Sequence, residues 1–349
     1  MKKKLYVLTA IAILLTLALS ACGGAKATQA PEAEGPVPIE FRLNWTLYGE
    51  HAPFFVGVDK GFYLDEGLDV SIVEGSGSST TVKLIGNGTN NIGYADSATM
   101  MRGVTAGVPV EAVAVTFQSS PMSFIYRADL PNPPDSIENL RGKKVAITAG
   151  DASMSIFEAC LGKNNMTIDD IELIQVSNPQ AKETAVLEGT ADTFLGYFVD
   201  QPLRIEKVTG VDMSWSKLVD VCNVNTLSSA IIVNKFWVKD NEDIVRRFVR
   251  ASQRAWAYTQ EHPEEAAEIF AKHAEAFDAP LALEEIKGSL TIMHTPNTAD
   301  KPIGYSALED WQATQEILEQ YAKFKPEKDV TVFFTNDYIS NPPYMPPEK

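Results

Sequence analysis

Trp45 heads a set of residues whose chemistry suits the capture of a small planar molecule. An indole offers a flat apolar face and one N–H, so Asn44-Trp45 at the end of a short apolar run could stack on a heteroaromatic ring. Gly75-Ser76-Gly77-Ser78-Ser79-Thr80 follows the next such run. Its glycines free the backbone and its hydroxyls can open a helix, whose N–H groups would hold a carbonyl or an anionic oxygen; a plain turn with an N-cap is the alternative. Tyr94 and Asp96 end a third run, with Asp96 placed either to meet a ligand or to cap the helix that follows. Gln118 comes directly after a fourth. Asp151 and Ser153, in Ala149-Gly150-Asp151-Ala152-Ser153, stand in an equivalent strand-to-helix turn further on. Tyr197 and Asp200 follow a later strand, where Tyr197 could close a stack against Trp45 while Phe198 packs in the core. Asn223 and Asn225 can donate and accept, or form a turn.

The sign of these groups bears on the ligand. Glu50, Asp96, Asp151 and Asp200 lie in or beside the candidate loops, from which Arg and Lys are nearly absent. A compact dianion would lack charge-assisted donors there, which favours a neutral or donor-rich ring. A sulfonate held by helix N-termini and hydroxyls alone is the alternative. His51, His262, His273 and His294 show no zinc-like spacing, and the three cysteines form no metal-ligand pattern, so neither a metal nor a cofactor is expected.

The elements that must position these residues alternate in a βαβ rhythm. Strands are predicted at 41–44, 68–73, 92–95 and 110–117, with helices at 53–60, 80–85 and 98–106, the first stopped by Gly61. A second series runs through strands at 145–148, 171–176 and 193–196 and helices at 154–161 and 180–187. The apolar stretches Ser123–Tyr126 and Ala230–Val233 are expected to cross between the two units as paired hinge strands. Residues 243–258 place Val245, Phe248, Val249, Ser252 and Trp256 on one helical face, and Ser306-Ala307-Leu308-Glu309 reads as a capping box. The fold class is α/β, with two lobes enclosing a ligand cleft. Residues 39–122 and 230–349 form the first lobe and 123–229 the second.

Ahead of this, Lys2, Lys3 and Lys4 precede an apolar run from Leu5 to Leu19 that ends in Leu-Ser-Ala-Cys-Gly. The run is at most a short spanning element and reads as a signal peptide over residues 1–21. The terminal word resembles a lipobox, which makes Cys22 the lipidated first residue of the mature chain and residues 22–38 a flexible tether. Cys160 and Cys222 then lie outside the reducing cytosol, either as a pair or as isolated buried thiols. The chain has 349 residues and a net charge of −16, or −19 without its first 21 residues. Nucleic acid is therefore a poor partner.

Leu43-Asn44-Trp45, His51-Ala52-Pro53-Phe54, Asp59-Lys60-Gly61-Phe62-Tyr63 and Glu66-Gly67-Leu68-Asp69-Val70 resemble the opening of the ABC-importer solute-binding proteins related to thiamin-pyrimidine synthase, a superfamily that includes sulfonate, nitrate and taurine binders. Asn139-Leu140-Arg141-Gly142-Lys143-Lys144-Val145 and the segment Ala230–Asn234 extend the similarity to about residue 270. The resemblance implies a type II periplasmic-binding-protein fold and a monomer that hands a small-molecule ligand to an ABC permease while held to the membrane by its lipid anchor. A thiamin-precursor pyrimidine is the expected ligand, with an aliphatic sulfonate, taurine, nitrate or riboflavin as alternatives. One branch of the superfamily is enzymatic. By register its Schiff-base lysine falls at Ala95, its sacrificed histidine at Thr99 and its cysteine run at 223–227, and none of these residue types is present here. Without the amine no Schiff base forms, so no catalytic residue is expected.

Overall fold

The computed structural model describes residues 35–148, 152–326 and 329–346. Cys22, the apolar run before it, most of the tether and Asp151 lie outside the described residues. Among the described residues no helix is long and apolar enough to cross a membrane, and no group of His, Cys, Asp or Glu is arranged to hold a metal ion.

Among the described residues, two five-stranded sheets carry the fold. The first lobe holds β1 (Val37–Arg42), β2 (Leu68–Val73), β3 (Ile92–Asp96), β4 (Val110–Val115) and β10 (Ser229–Asn234), in the order β2-β1-β3-β10-β4. The second holds β5 (Met122–Arg127), β6 (Lys144–Thr148), β7 (Glu172–Val176), β8 (Thr193–Tyr197) and β9 (Met213–Lys217), in the order β7-β6-β8-β5-β9. In the first sheet β1 runs parallel to β2 and β3, while β10 is antiparallel to β3 and β4. In the second, β6 runs parallel to β7 and β8, while β5 is antiparallel to β8 and β9. All six residues of β10 are buried, as a strand covered on both faces requires, whereas edge strand β2 alternates buried and exposed at its start.

The segments expected to pair as a hinge therefore do not pair with each other. Each is the antiparallel strand of its own sheet, because an apolar, β-branched run gains most from burial inside a sheet. The chain crosses between lobes just outside them, at residues 116–121 and 223–228. There Ser228 N donates to Phe117 O and Phe117 N to Ser229 O, each at 3.0 Å, and Ser120 N donates to Asn225 Oδ1 at 3.0 Å.

Helices cover both sheets. In chain order they are α1 (Ala52–Asp59), α2 (Phe62–Asp65), α3 (Ser78–Gly86), α4 (Ser97–Thr105), α5 (Ser153–Lys163), α6 (Pro179–Leu187), α7 (Gln201–Thr209), α8 (Leu218–Cys222), α9 (Glu242–Glu261), α10 (Pro263–His273), α11 (Ala279–Leu290) and α12 (Leu308–Tyr321). The predicted stripe of α9 is buried in full. Phe54 of α1 lies edge-on between Phe41, at 4.7 Å, and Trp256 of α9, at 6.0 Å, which joins these helices to the first sheet. The capping box at Ser306 does not form. The hydroxyl instead accepts the Trp311 indole N–H at 2.9 Å, a buried donor that would otherwise have no partner, and α12 starts without a side-chain cap.

Cys160 of α5 and Cys222 of α8 form a disulfide. The division at residue 230 assigns α12 to the first lobe, yet α12 packs on α5, so closely that a Cβ at Gly162 would stand 2.2 Å from the Tyr321 carbonyl. Arg102 of α4 reaches the same place, donating to Glu158 at 3.0 Å and to Ala322 O at 2.8 Å.

Candidate ligand-binding site

A cavity lined by both lobes lies where their strand ends meet. Its first-lobe wall is built by backbone pairing between two loops. Gly75 N donates to Trp45 O at 2.9 Å and Gly77 N to Asn44 O at 2.8 Å, while Thr81 Oγ1 donates to Leu43 O at 2.8 Å. A Cβ at Gly75 would lie 2.1 Å from the Leu43 carbonyl, so this approach requires glycine. Gly77, with φ of 134°, turns the chain into α3 and sets Ser78 into the cavity wall, where Ser78 Oγ accepts the Asp96 N–H at 3.1 Å.

The second-lobe wall comes from Ala152 and Ser153 at the start of α5, from Leu195, Gly196 and Tyr197 at the end of β8, and from Asp200 and Gln201 at the start of α7. Tyr197 is held at both ends. Its hydroxyl meets Ser228 Oγ at 3.2 Å and its N–H donates to Gln201 Oε1 at 3.1 Å. Met122 and Lys182 complete this wall. Lys182, on α6, is almost wholly buried; its Nζ donates to Leu195 O at 2.7 Å and stands 4.9 Å from the centre of the Trp45 ring. That cation–π contact occupies one region of the indole from the opposite lobe.

Glu50 reaches the cavity from a short 3₁₀ turn, Gly49–His51. His51 Nδ1 accepts the Tyr48 N–H at 3.2 Å, which places the ring proton on Nε2. Nε2 then faces Asn44 Oδ1 at 2.8 Å and Glu50 Oε1 at 3.2 Å, and Asn44 Nδ2 donates to the same Oε1 at 3.3 Å. Glu50 Oε2 is buried and has no hydrogen-bond partner among the described residues.

Buried carboxylates and cations bridge the lobes beside the cavity. The Tyr48 hydroxyl donates to Glu183 Oε1 at 3.1 Å and accepts from Arg204 Nε at 3.1 Å, and Arg204 pairs with Glu183. Gly49 N donates to Glu285 Oε2 at 2.6 Å. Burial, and then the charge of Glu50, raises the Asp200 carboxyl well above the usual carboxylate range. Burial, and then the charge of Asp200, does the same to Glu285, and burial raises Glu183 against the opposing pull of Arg204. Asp96 is raised by burial to about 6, against hydrogen bonds from Thr99.

Of the residues singled out in the sequence, Asn44, Trp45, Ser78, Ser153, Tyr197 and Asp200 line this one cavity. The others stand elsewhere. Gly75, Ser76 and Gly77 belong to the loop behind the wall, where backbone pairing fixes the glycines, and Ser79 lies in the first turn of α3, outside the cavity lining. Tyr94 is fully buried, with its hydroxyl 2.7 Å from Thr116 Oγ1, because it faces the α1 aromatics rather than the cleft. Asp96 caps α4, accepting from Thr99 N at 2.8 Å and Thr99 Oγ1 at 2.9 Å. Gln118 is consumed by Tyr305 O and Thr298, each at 2.7 Å. Asn223 is exposed and adopts φ of 54° at the end of α8, and Asn225 ties the two crossings together. Sequence spacing missed Met122, Lys182 and Gln201 as wall residues, and gave Glu50 only as a nearby charge. Lys182 and Glu183 form an adjacent charged pair in the first turns of a helix begun by Asn178-Pro179, a pattern that reads as solvated surface. Only the Pro202 that follows Asp200-Gln201 marks a helix start at the cleft mouth.

The sequence matches, over residues 49–266, a family model described as NMT1/THI5 like. The riboflavin-binding protein RibY of Chloroflexus aurantiacus is 26% identical over 359 residues, spanning 98% of this chain and 99% of that protein. A 4-amino-5-hydroxymethyl-2-methylpyrimidine phosphate synthase of Candida albicans is 27% identical over 238 residues, 65% of this chain and 69% of that one. A formylaminopyrimidine-binding protein of Halalkalibacterium halodurans is 22% identical over 315 residues, 88% and 93% of the two chains. Among solved structures, the periplasmic aliphatic sulphonate binding protein SsuA from Escherichia coli superimposes with a TM-score of 0.62 at 15% identity, covering 83% of this chain and 88% of that one. The likeness to SsuA is one of fold: two lobes of the periplasmic-binding-protein type.

Proposed function

This chain belongs to the NMT1/THI5-like family, and from that premise we propose that it is the extracytoplasmic solute-binding component of an ABC importer, closing on a small heteroaromatic ring. The observation that carries the ligand class is the cavity itself. Trp45 from one lobe and Tyr197 from the other line one cavity between strand ends, an arrangement that suits a flat ring gripped from both sides. Riboflavin and a formylaminopyrimidine, the ligands named for two relatives, are the first compounds to test. Binding is the whole of the proposed activity. At the register of the Schiff-base lysine stands Ala95, fully buried in β3 and without an amine, and at that of the sacrificed histidine stands Thr99, engaged in the Asp96 cap.

In this proposal Cys22 carries the lipid that keeps the protein at the outer face of the membrane, and a permease receives the ligand from a monomer. Cys22→Ser should release the protein from membranes or stall it as precursor; an unmodified Cys22 in membrane-bound, full-length protein would refute the anchor.

Mass spectrometry of small molecules released from freshly purified protein tests the ligand class, together with small-angle scattering before and after addition of the identified compound. A heteroaromatic compound and a contraction on binding are expected. Release of taurine, another sulfonate or nitrate would overturn the ligand class, and an unchanged radius at saturation would overturn closure.

A further inference from the structure

We propose that Glu50 selects the ligand by accepting a hydrogen bond from an N–H of the ring or of its amino substituent, so that the site takes heteroaromatic rings with a donor edge and rejects compact oxyanions. The inference rests on the heteroaromatic assignment above and deepens it. Glu50 is 1% exposed, stands in the cavity wall, and has one oxygen occupied and one buried without a partner. The occupied oxygen accepts from Asn44 Nδ2, and Asn44 is held in turn through its Oδ1 by the Nε2–H of His51, whose tautomer is set by the Tyr48 N–H, so the side chain is held before a ligand arrives. A buried carboxylate oxygen left without a donor is costly, and a ligand N–H would relieve that cost on binding. Pyrimidine amino groups and the imide N–H of a flavin-type ring have this chemistry.

An oxyanion meets the opposite electrostatics. Glu50 and Asp200 both line the cavity, while Lys182 is already engaged by Leu195 O and by the Trp45 ring. A sulfonate would sit against the buried Glu50 carboxylate and have to draw that ammonium from its present contacts.

Two ligand pairs test the inference on the intact protein by calorimetric titration: riboflavin against 3-methylriboflavin, and the formylaminopyrimidine against its 4-dimethylamino counterpart, with taurine as the anion. In the wild type, methylation of the donor should weaken binding by about 10- to 100-fold, the range for a hydrogen bond to a charged group. Glu50→Ala should weaken the parent ring and bring parent and methylated compound within about threefold, because acceptor and wall are removed together; a residue with only a structural role would weaken both members and keep their ratio. The wild-type comparison stands even where the variant folds poorly. A ring that binds equally well with and without its N–H, or a ratio that survives Glu50→Ala, would overturn the role of Glu50 and leave the heteroaromatic assignment standing. Binding of taurine alone would overturn both, and binding of none of the probes would overturn the selection of these donor rings.

Discussion

Asp96→Asn isolates one buried charge. The carboxyl lies fully buried at the start of α4, and burial raises it from the ordinary 3.8 to about 6. Each tenfold step in proton affinity is about 1.4 kcal/mol, so ionised Asp96 makes the folded state less stable by about 3 kcal/mol once the pH exceeds both values. The sign follows from the raised folded value. Well below pH 4 both states are protonated and there is no difference; as the pH climbs through about 4 to 6 the unfolded chain ionises first and stability is lost. Asparagine keeps an Oδ1 for the Thr99 donors and is as good an N-cap, but it does not titrate. The unfolding free energy of the variant minus that of the wild type should therefore rise by about 2 to 3 kcal/mol between pH 4 and pH 7. Urea titrations at several pH values measure it, and the shared titrations of Asp200, Glu285 and Glu183 cancel in the difference because those residues are unchanged. A difference independent of pH, or one that grows toward acid, would refute the argument.

Trp45→Ala should weaken a heteroaromatic ligand by at least about thirtyfold, equivalent to about 2 kcal/mol, when measured by calorimetry; an unchanged affinity would remove the indole from the site. Tyr48→Phe deletes the hydroxyl between Glu183 and Arg204. It should weaken ligand binding by about two- to tenfold, with a faster off-rate in stopped flow, if that bridge stabilises closure. Replacing both Cys160 and Cys222 with alanine opens a link spanning 62 residues. Denaturant unfolding should then show a loss of about 2 to 4 kcal/mol, and equal stability would show the link to be inert.

Much of this architecture was legible in the residues. Apolar runs bounded by glycine and polar caps placed every strand but β9 and the longer helices except α11, since burial and capping act over a few residues, whereas β9 and helices α7 and α8 were not foreseen. Gly61 ends α1 with φ of 73°, and the five-residue stripe of α9 faces inward. Partner choice was less legible. Nothing within Ala230–Val233 says whether it pairs with Ser123–Tyr126 or with β3 and β4, because that depends on which edge lies free after the chain has returned. The site divided along the same line. Trp45, Ser78 and Tyr197 follow their own strands and were found by position, whereas Lys182 reaches the cavity by crossing from a helix to the indole of the other lobe. Gly75 and Tyr94 show the converse, as residues of suitable type whose space is taken by backbone or core neighbours.

The position of β10 also sets an order of assembly. The sheet of the second lobe is drawn from one unbroken stretch, Met122–Lys217, and its disulfide partners both lie before residue 223. That sheet and its disulfide can form as soon as these residues are available, before α12 arrives to pack on α5. The sheet of the first lobe cannot, because the strand that fills the gap between β3 and β4 arrives more than one hundred residues after β4 ends. Until then β3 and β4 each present an unpaired edge, the kind of surface that recruits other chains. Pairing of Ser229–Asn234 with β3 and β4 is thus the longest-range step in building this sheet, and a binding partner that shields those edges would act there.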